Sequence, residues 1–326
     1  MPNRETASSR PWSAPPSVVD SSALLVEGPW VHRFVPANGA RFHVALAGPD
    51  DRDAPLVVLL HGLPEFWWAW RHQLVSFAAA GYRVAAMDVR GTGASDKPPQ
   101  GYDVPTLARD VAGVIRSLGS DRAVVVGQGL GGEIAWAMPA FAPDVTRAIA
   151  PLSAPHPLHA RSEPLSGLRP RAVGRAAYFQ LPLLPERSLI RSDLVVKLLR
   201  EWGARGWTTL EIEETYRRAV RVPFAAHSAM EQARWLARSG PRMDGQRYAA
   251  ALRSAPDVPV LQLHGGLDGC RGASSAAATG RLLERLGDGY RFELLPTVGH
   301  FLGEEAPERV DALLLPWLAK VTAPGA

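Results

Sequence analysis

Cysteine, lysine and long apolar runs are scarce in this 326-residue chain, and each scarcity excludes a class of protein. Cys270 is the only cysteine, so an internal disulfide and a cysteine metal cluster are excluded. Lysine occurs only at Lys97, Lys197 and Lys320, so the formal charge of +4 comes from arginines, which are scattered and not interleaved with aromatic residues. This pattern argues against nucleic-acid binding.

Motifs for membranes, metals and cofactors are also missing. The sequence holds no apolar run long enough to span a bilayer, and the first residues lack the apolar segment of a signal peptide. Neither a metal-ligand spacing nor a phosphate-binding glycine loop after the first strand is present. We therefore expect a soluble, cytoplasmic protein without metal or cofactor, which binds a small apolar molecule and neither nucleic acid nor membrane; a homodimer is left open.

Apolar runs that alternate with helical patterns predict a parallel, doubly wound sheet. Within residues 156–254 the strand-like runs disappear, and Pro, Arg and Leu dominate with helical periodicity near 188–202 and 208–220. We expect three parts: a flexible N-terminal tail over residues 1–27, an α/β core over 28–155 and 255–326, and a helical lid over 156–254.

The most informative stretch is an apolar strand pattern that breaks into glycines. Residues 123–126 are apolar, the run Gly127-Gln128-Gly129-Leu130-Gly131-Gly132 follows at once, and a helical pattern begins at Glu133. A strand, a sharp turn and a helix in this order are typical of a nucleophile elbow, whose central side chain projects into an active site. The central residue here is Gly129, which has no side chain to project.

Three points fall at the ends of predicted strands, in the order Gly129, Asp268, His300. Nucleophile, acid and histidine follow one another in this order in α/β-hydrolases. Other motifs are more specific: His61-Gly62-Leu63-Pro64 followed by Glu65-Phe66-Trp67, the run Arg90-Gly91-Thr92-Gly93-Ala94-Ser95-Asp96-Lys97-Pro98, Tyr178-Phe179-Gln180, and Gly299-His300-Phe301. Together they resemble the epoxide-hydrolase branch of the α/β-hydrolase fold, from about Trp30 to the C-terminus.

The resemblance implies an α/β-hydrolase fold, with a mostly parallel sheet and an inserted helical lid, and it implies roles for single residues. The Leu63–Pro64 peptide would be cis, and the N–H groups of Leu63 and Leu130 would form an oxyanion hole. Asp268 would orient His300, and His300 would activate water.

The resemblance also implies roles for the lid and the pocket wall. Tyr178 would donate a hydrogen bond to the epoxide oxygen, and substrate contacts would come from Trp67, Pro64 and Phe179. A second lid tyrosine is expected just before an arginine late in the lid, but the stretch Met230-Glu231-Gln232-Ala233-Arg234 has none. Tyr216 and Tyr248 are available without being aligned.

The chain departs from the family at the elbow itself. Active members carry aspartate at the centre, usually as Gly-His-Asp-Trp-Gly-Gly, and three positions differ here. Leu130 stands where haloalkane dehalogenases use a tryptophan to hold halide. Without a carboxylate at position 129 an alkyl-enzyme intermediate is not possible.

Two hypotheses follow from the missing nucleophile. The first is a hydrolase in which the His300–Asp268 dyad activates water directly toward a small apolar epoxide or carbonyl compound; water would occupy the space of the missing carboxylate, and His300 is expected to be neutral. A variant is a cofactor-free isomerase or lyase that uses the same dyad. The second is a catalytically inactive small-molecule-binding protein, because glycine relieves the strained elbow at the expense of chemistry.

Overall fold

The computed structural model describes residues 18–163 and 167–323, without the side chains of residues 284 and 285. Its centre is one eight-stranded sheet with the strand order β1-β2-β4-β3-β5-β6-β7-β8. The first two strands pair antiparallel, β2 also runs antiparallel to β4, and the remaining neighbours are parallel. The strands are β1 Val31–Ala37, β2 Ala40–Ala47, β3 Leu56–Leu60, β4 Arg83–Met87, β5 Ala123–Gln128, β6 Thr146–Leu152, β7 Val260–Gly265 and β8 Tyr290–Leu295.

Helices cover both faces of this sheet, so its central strands are buried on both sides and are apolar throughout. Every residue of β3 and β5 is buried. The helices outside the lid are α1 Arg71–Ala79, α2 Val104–Ser117, α3 Leu130–Phe141, α11 Ala273–Ala277, α12 Thr279–Leu283, α13 Leu302–Glu305 and α14 Pro307–Thr322. The predicted α/β architecture is confirmed. A tight turn at Asn38 and Gly39, both with positive φ, joins β1 to β2.

Between β6 and β7 the described residues form helices and no further strand of the sheet, and we call these helices the lid. They are α4 Pro157–Ser162, α5 Pro170–Tyr178, α6 Leu184–Arg191, α7 Leu194–Trp202, α8 Leu210–Val220, α9 Ala225–Arg238 and α10 Met243–Arg253. The helical periodicity over 188–202 belongs to two helices, because Ser192 adopts an extended conformation between them. Its hydroxyl donates to the carbonyl of Ser188, 2.7 Å away, which is the local competition that makes serine a poor helix interior.

The predicted flexible N-terminal tail includes residues that are packed on the core. Residues 1–17 lie outside the described residues, whereas Ser21–Leu24 form a 3-10 turn that packs on the core. Leu24 is buried, and its carbonyl accepts a hydrogen bond from the Trp67 indole at 3.0 Å. Among the helices of the described residues, none combines the length and apolarity that a membrane crossing needs.

Candidate active site

The glycine-rich turn after β5 has the backbone of a nucleophile elbow. Gly129 has φ 53° and ψ −112°, a conformation that side-chain-bearing residues rarely adopt. A Cβ atom at Gly127 would lie 2.0 Å from the carbonyl oxygen of Gly131, and one at Gly131 would lie 2.1 Å from that of Leu60. The turn is therefore possible only with glycine at these two flanking positions.

The turn places position 129 directly against a histidine. A Cβ atom built on Gly129 would lie 3.1 Å from Nε2 of His300 and 3.8 Å from the Cα atom of Gly62. The imidazole thus occupies space next to the elbow that a side chain at position 129 would need. The structure brings together Gly129, His300 and the Gly62 turn, as the sequence predicted for a common site.

His300 is oriented by Asp268. Its Nδ1 atom lies 2.8 Å from Oδ2 of Asp268, while the other carboxylate oxygen accepts the backbone N–H groups of Cys270 and Arg271 at 2.7 and 2.9 Å. A carboxylate at Nδ1 leaves Nε2 as the nitrogen that faces position 129. Nε2 has no hydrogen-bond partner among the described residues.

The charges of this pair shift both pKa values. Burial alone would lower the pKa of His300, but the charge and hydrogen bond of Asp268 outweigh burial and raise the pKa above its ordinary value. Burial likewise opposes ionisation of Asp268, yet His300 lowers the pKa of this carboxyl. The expectation of a neutral His300 rested on the missing elbow carboxylate, but Asp268, with further contributions from Glu65 and Glu305, raises the pKa of this histidine.

The lid holds the backbone around His300. The carbonyl of Trp202, the last residue of α7, accepts the N–H groups of His300 and Gly269 at 3.0 and 2.9 Å. The carbonyl of His300 accepts the Ser153 hydroxyl at 2.7 Å and the side-chain amide of Gln128. Together with Asp268, four separate segments of the chain thus hold the histidine. Two of these segments, at Ser153 and at Asp268, lie just before and just after the lid in the sequence.

Two backbone N–H groups near Gly129 are candidate donors, one in the turn after β3 and one at the start of α3. The Leu63–Pro64 peptide bond is cis, as the resemblance implied. Leu130 begins α3, so its N–H has no acceptor within the helix. Both N–H groups stay candidates for an oxyanion hole.

Glu65, which follows this turn, is a buried carboxyl close to the site. Its Oε2 atom accepts the N–H of Gly62 at 3.1 Å. Burial and the neighbouring Glu304 raise the pKa of Glu65 to about 8, so this side chain carries a proton near neutral pH. When ionised, Glu65 raises the pKa of His300 through its negative charge.

A small cavity lies between this turn and the lid. Its volume is ≈ 20 Å³, about enough for one water molecule. Core residues on one side face small and apolar residues of α8 and α9 on the other. The lining comprises Gly62, Leu63, Pro64, Glu65, Thr92, Gly93, Ala219, Val220, Ala225, Ala229 and Gln232.

Comparison with known proteins assigns this fold to a family. A family model described as the alpha/beta hydrolase fold matches residues 55–307, which is more than half of the chain. The chain belongs to the α/β-hydrolase family. Within the family, it is 32% identical over 291 residues to the AB hydrolase superfamily protein YfhM of Bacillus subtilis (strain 168), covering 88% of this chain and 97% of that protein.

Its relatives in this family include epoxide hydrolases. The chain is 31% identical over 319 residues to Epoxide hydrolase 3 of Xenopus tropicalis, covering 94% of this chain and 82% of that protein. Among solved structures, an epoxide hydrolase from an endophytic Streptomyces matches with a TM-score of 0.73 and 28% identity, over 90% of this chain and 97% of that one. The chain is thus an epoxide-hydrolase-like α/β-hydrolase.

Not all predicted substrate contacts meet at the site. Pro64 lines the small cavity, whereas Trp67 is fully buried against Trp30, His32 and His43. Trp67 is a core residue in this structure, and its contact with a substrate stays a prediction. The backbone N–H of Trp67 donates to Asp88 at 2.8 Å, and its indole N–H donates to the carbonyl of Leu24 at 3.0 Å.

The hydroxyls of Tyr178 and Tyr216 are hydrogen-bonded to other protein groups in this structure, whereas that of Tyr248 has no hydrogen-bond partner among the described residues. The Tyr178 hydroxyl donates to the carbonyl of Leu184 at 3.1 Å and lies 2.5 Å from the Ser188 hydroxyl, so its action on a substrate stays a prediction. Phe179 is buried beside it, and its carbonyl accepts Arg234. Tyr216 donates to Glu304, and the buried Tyr248 stacks on Phe141.

Sequence reasoning assigned no function to Glu65, Trp202 or Gln128, all of which act on the site geometry. Glu65 directly follows the His61–Pro64 motif, so its position in the sequence could have identified it. Gln128 directly precedes the elbow centre. For Trp202, which lies some hundred residues before His300, the sequence contains no signal for the contact, because it depends on how the lid closes on the core.

Proposed function

We propose that this protein is a hydrolase that adds water directly to a small apolar epoxide, or to an activated carbonyl compound, without a covalent enzyme intermediate. The observation that carries the proposal is the pairing of an oriented His300–Asp268 dyad with a glycine at the elbow. Nε2 of His300 faces the position where relatives of this fold place a nucleophile, and no side chain stands between it and the turn.

The dyad supplies the base of the proposed reaction. Neutral His300 takes a proton from water at Nε2 as the water oxygen forms a bond to the epoxide carbon and the carbon–oxygen bond of the ring breaks. Asp268 stabilises the resulting imidazolium. The N–H groups of Leu63 and Leu130 stabilise the negative oxygen, an effect of about 3–4 kcal/mol per donor in other hydrolases.

Glu65 supplies the acid that the lid tyrosine does not reach in this structure. It lines the small cavity beside Leu63, and its raised pKa of about 8 keeps it protonated near neutral pH. A protonated carboxyl can transfer its proton to the alkoxide that ring opening leaves. The proposed pair is therefore one base with a raised pKa and one carboxyl kept neutral by burial.

The size of the cavity sets a condition for this chemistry. A volume of ≈ 20 Å³ admits a water molecule and nothing larger, so substrate enters only after α8 and α9 move away from the turn that contains Leu63. The contacts between the lid and the core then become part of the catalytic cycle.

The test is turnover of small epoxides and aryl esters by the native chain, His300→Ala and Glu65→Gln, with the exposed-histidine variant His227→Ala as the matched control. We expect His300→Ala to lose about 10²–10⁴-fold in kcat, Glu65→Gln to lose less, and His227→Ala to match the native chain. Equal rates for native and His300→Ala proteins would exclude the dyad as the base.

Isotope labelling separates direct attack from a covalent route. In heavy-oxygen water, direct attack places solvent oxygen in the product during the first turnover. A first turnover without label would show that an enzyme oxygen attacks and would overturn the proposal. Saturable ligand binding with no turnover of any substrate would instead favour the binding-protein hypothesis.

A further inference from the structure

The charge of the chain is divided unevenly between the lid and the core. Residues 156–254 contain 17 Lys and Arg against 9 Asp and Glu, a net charge of +8, whereas the rest of the chain contains 19 against 23, a net charge of −4. The arginines that seem scattered along the sequence therefore concentrate on one side of the folded molecule. Such a separation produces a positive potential over the outer surface of the lid.

An exposed apolar group lies within this positive region. Leu181, Leu183 and Leu184, at the loop before α6 and its first turn, are 43%, 62% and 50% exposed. Single exposed leucines are ordinary, but three within four residues form a continuous apolar surface. Leu183 also has φ +62°, a costly conformation for a side-chain-bearing residue, and it still leaves the side chain in solvent.

Arginines border these leucines directly. Arg187 and Arg191 follow Leu184 at helical spacing on the exposed side of α6, while Pro185, Glu186 and Leu189 on its other side are buried. Neither arginine forms an ion pair or a side-chain hydrogen bond with another described residue. Arg238 adds a third charge, because it donates to the side chain and the carbonyl of Gln180 at 2.8 and 2.7 Å, next to Leu181.

We propose that this surface, formed by Leu181, Leu183, Leu184, Arg187, Arg191 and Arg238, docks the protein on an anionic phospholipid membrane. Leucines beside unpaired arginines are the pattern of an interfacial contact, in which apolar side chains enter the headgroup boundary and arginines pair with phosphates. The absence of a membrane-spanning run does not bear on such a peripheral contact, so this proposal stands against the expectation that the protein binds no membrane, and the experiment below decides between the two.

The charge distribution argues against the other occupants. A second copy docked lid to lid would bring two surfaces of net charge +8 together, which is repulsive. A nucleic acid would use the arginines but not the leucines, because its recognition depends on phosphate contacts and on aromatic stacking. The apolar and cationic groups are used together at an anionic lipid surface.

The test is flotation of the full chain with vesicles of phosphatidylcholine alone and with vesicles that also contain phosphatidylglycerol. Native protein is expected to float with the anionic vesicles and to be released as salt is raised. Arg187→Gln with Arg191→Gln should weaken binding by on the order of 30-fold, since each charge near such a surface contributes about a factor of five. The control pair Arg33→Gln with Arg52→Gln removes two exposed arginines of the core and should bind like the native chain.

The leucines distinguish docking from simple charge attraction. Replacing Leu181, Leu183 and Leu184 by serine should abolish flotation, whereas Val31→Ser, at a 66% exposed position of β1, should not change it. Thermal unfolding of each variant checks that the fold is intact. Equal loss in both arginine pairs, binding insensitive to the leucines, or tighter binding to an acidic polymer such as heparin than to vesicles would each overturn the proposal.

Discussion

At the scale of single residues, Gly129 is constrained by its own backbone and by His300. A side chain there must adopt φ near +53°, and its Cβ atom must come within 3.1 Å of Nε2. Restoring a carboxylate at this position therefore requires the imidazole to move, so a single Gly129→Asp substitution is not expected to recreate a conventional site.

Stability measurements test this constraint without assuming activity. Gly129→Ala is expected to lower the free energy of unfolding by about 1–2 kcal/mol, because alanine is disfavoured in left-handed backbone and contacts His300. The matched control is Gly174→Ala in α5, where an added Cβ atom meets nothing within 4 Å and helix propensity should increase stability by up to about 1 kcal/mol. Denaturant titration measures the free energy of unfolding of both variants. If Gly129→Ala were as stable as Gly174→Ala, position 129 would tolerate a side chain.

Asp268 is the group that sets the protonation of His300. In Asp268→Asn the carboxylate charge is lost while burial remains, so the pKa of His300 should fall below its native value. The general base would then become available at lower pH, although it would be less well oriented. Titration of the His300 ring proton signals by NMR measures the shift, and an unchanged midpoint would contradict the assigned cause.

At the scale of elements, the strands were predicted better than the lid. A strand buried on both faces is a continuous apolar run such as residues 55–60, and a glycine cluster such as 127–132 has few alternatives to a sharp turn. The strands and the sharp turn therefore followed from local signals, whereas the pairing of Asp268 with His300 was implied only by the family resemblance. The partners of Trp67 and Tyr178 could not be predicted in this way, because the Trp67 indole donates to Leu24 and the Tyr178 hydroxyl is bonded to Leu184 and Ser188, contacts that no local pattern indicates.

One buried network ties the lid to the core. Tyr216 of α8 donates to Glu304 of α13, and Arg71 at the start of α1 pairs with the same carboxylate at 2.6 Å while its guanidinium lies over the Trp68 ring. Since α8 also lines the small cavity, this network opposes the lid movement that substrate entry requires. It joins three elements that are far apart in the sequence.

Removing the two partners of Glu304 should have different effects. Tyr216→Phe leaves Glu304 paired with Arg71 and should cost about 1–2 kcal/mol. Arg71→Met leaves a buried carboxylate without its cation and should cost about 3 kcal/mol or more. Thermal or denaturant unfolding ranks the two variants, and a Tyr216→Phe cost equal to that of Arg71→Met would show that the hydroxyl, not the ion pair, holds the lid.

At the scale of the whole molecule, buried ionisable groups set how stability depends on pH. Asp88 and Asp268 have lowered pKa values in the folded protein, so their contribution is present above their unfolded pKa and is lost as the pH falls. Glu65 and His300 act in the opposite sense. Their folded pKa values are raised, so their contribution is complete below the unfolded pKa and is lost as the pH rises through the folded pKa. Stability should therefore be greatest at weakly acidic pH.

The Glu65→Gln substitution tests the loss of stability that Glu65 causes as the pH rises. Glutamine can still accept the N–H of Gly62 but has no proton to lose, so the variant should lack the Glu65 part of the decline between about pH 4.5 and about pH 8. That part has a slope of up to about 1.4 kcal/mol per pH unit. Denaturant unfolding across this range should show the native chain losing stability relative to Glu65→Gln, while the exposed-site variant Glu27→Gln runs parallel to the native chain. Parallel curves for native and Glu65→Gln proteins would mean that Glu65 is ionised at neutral pH and cannot be the acid of the proposed reaction.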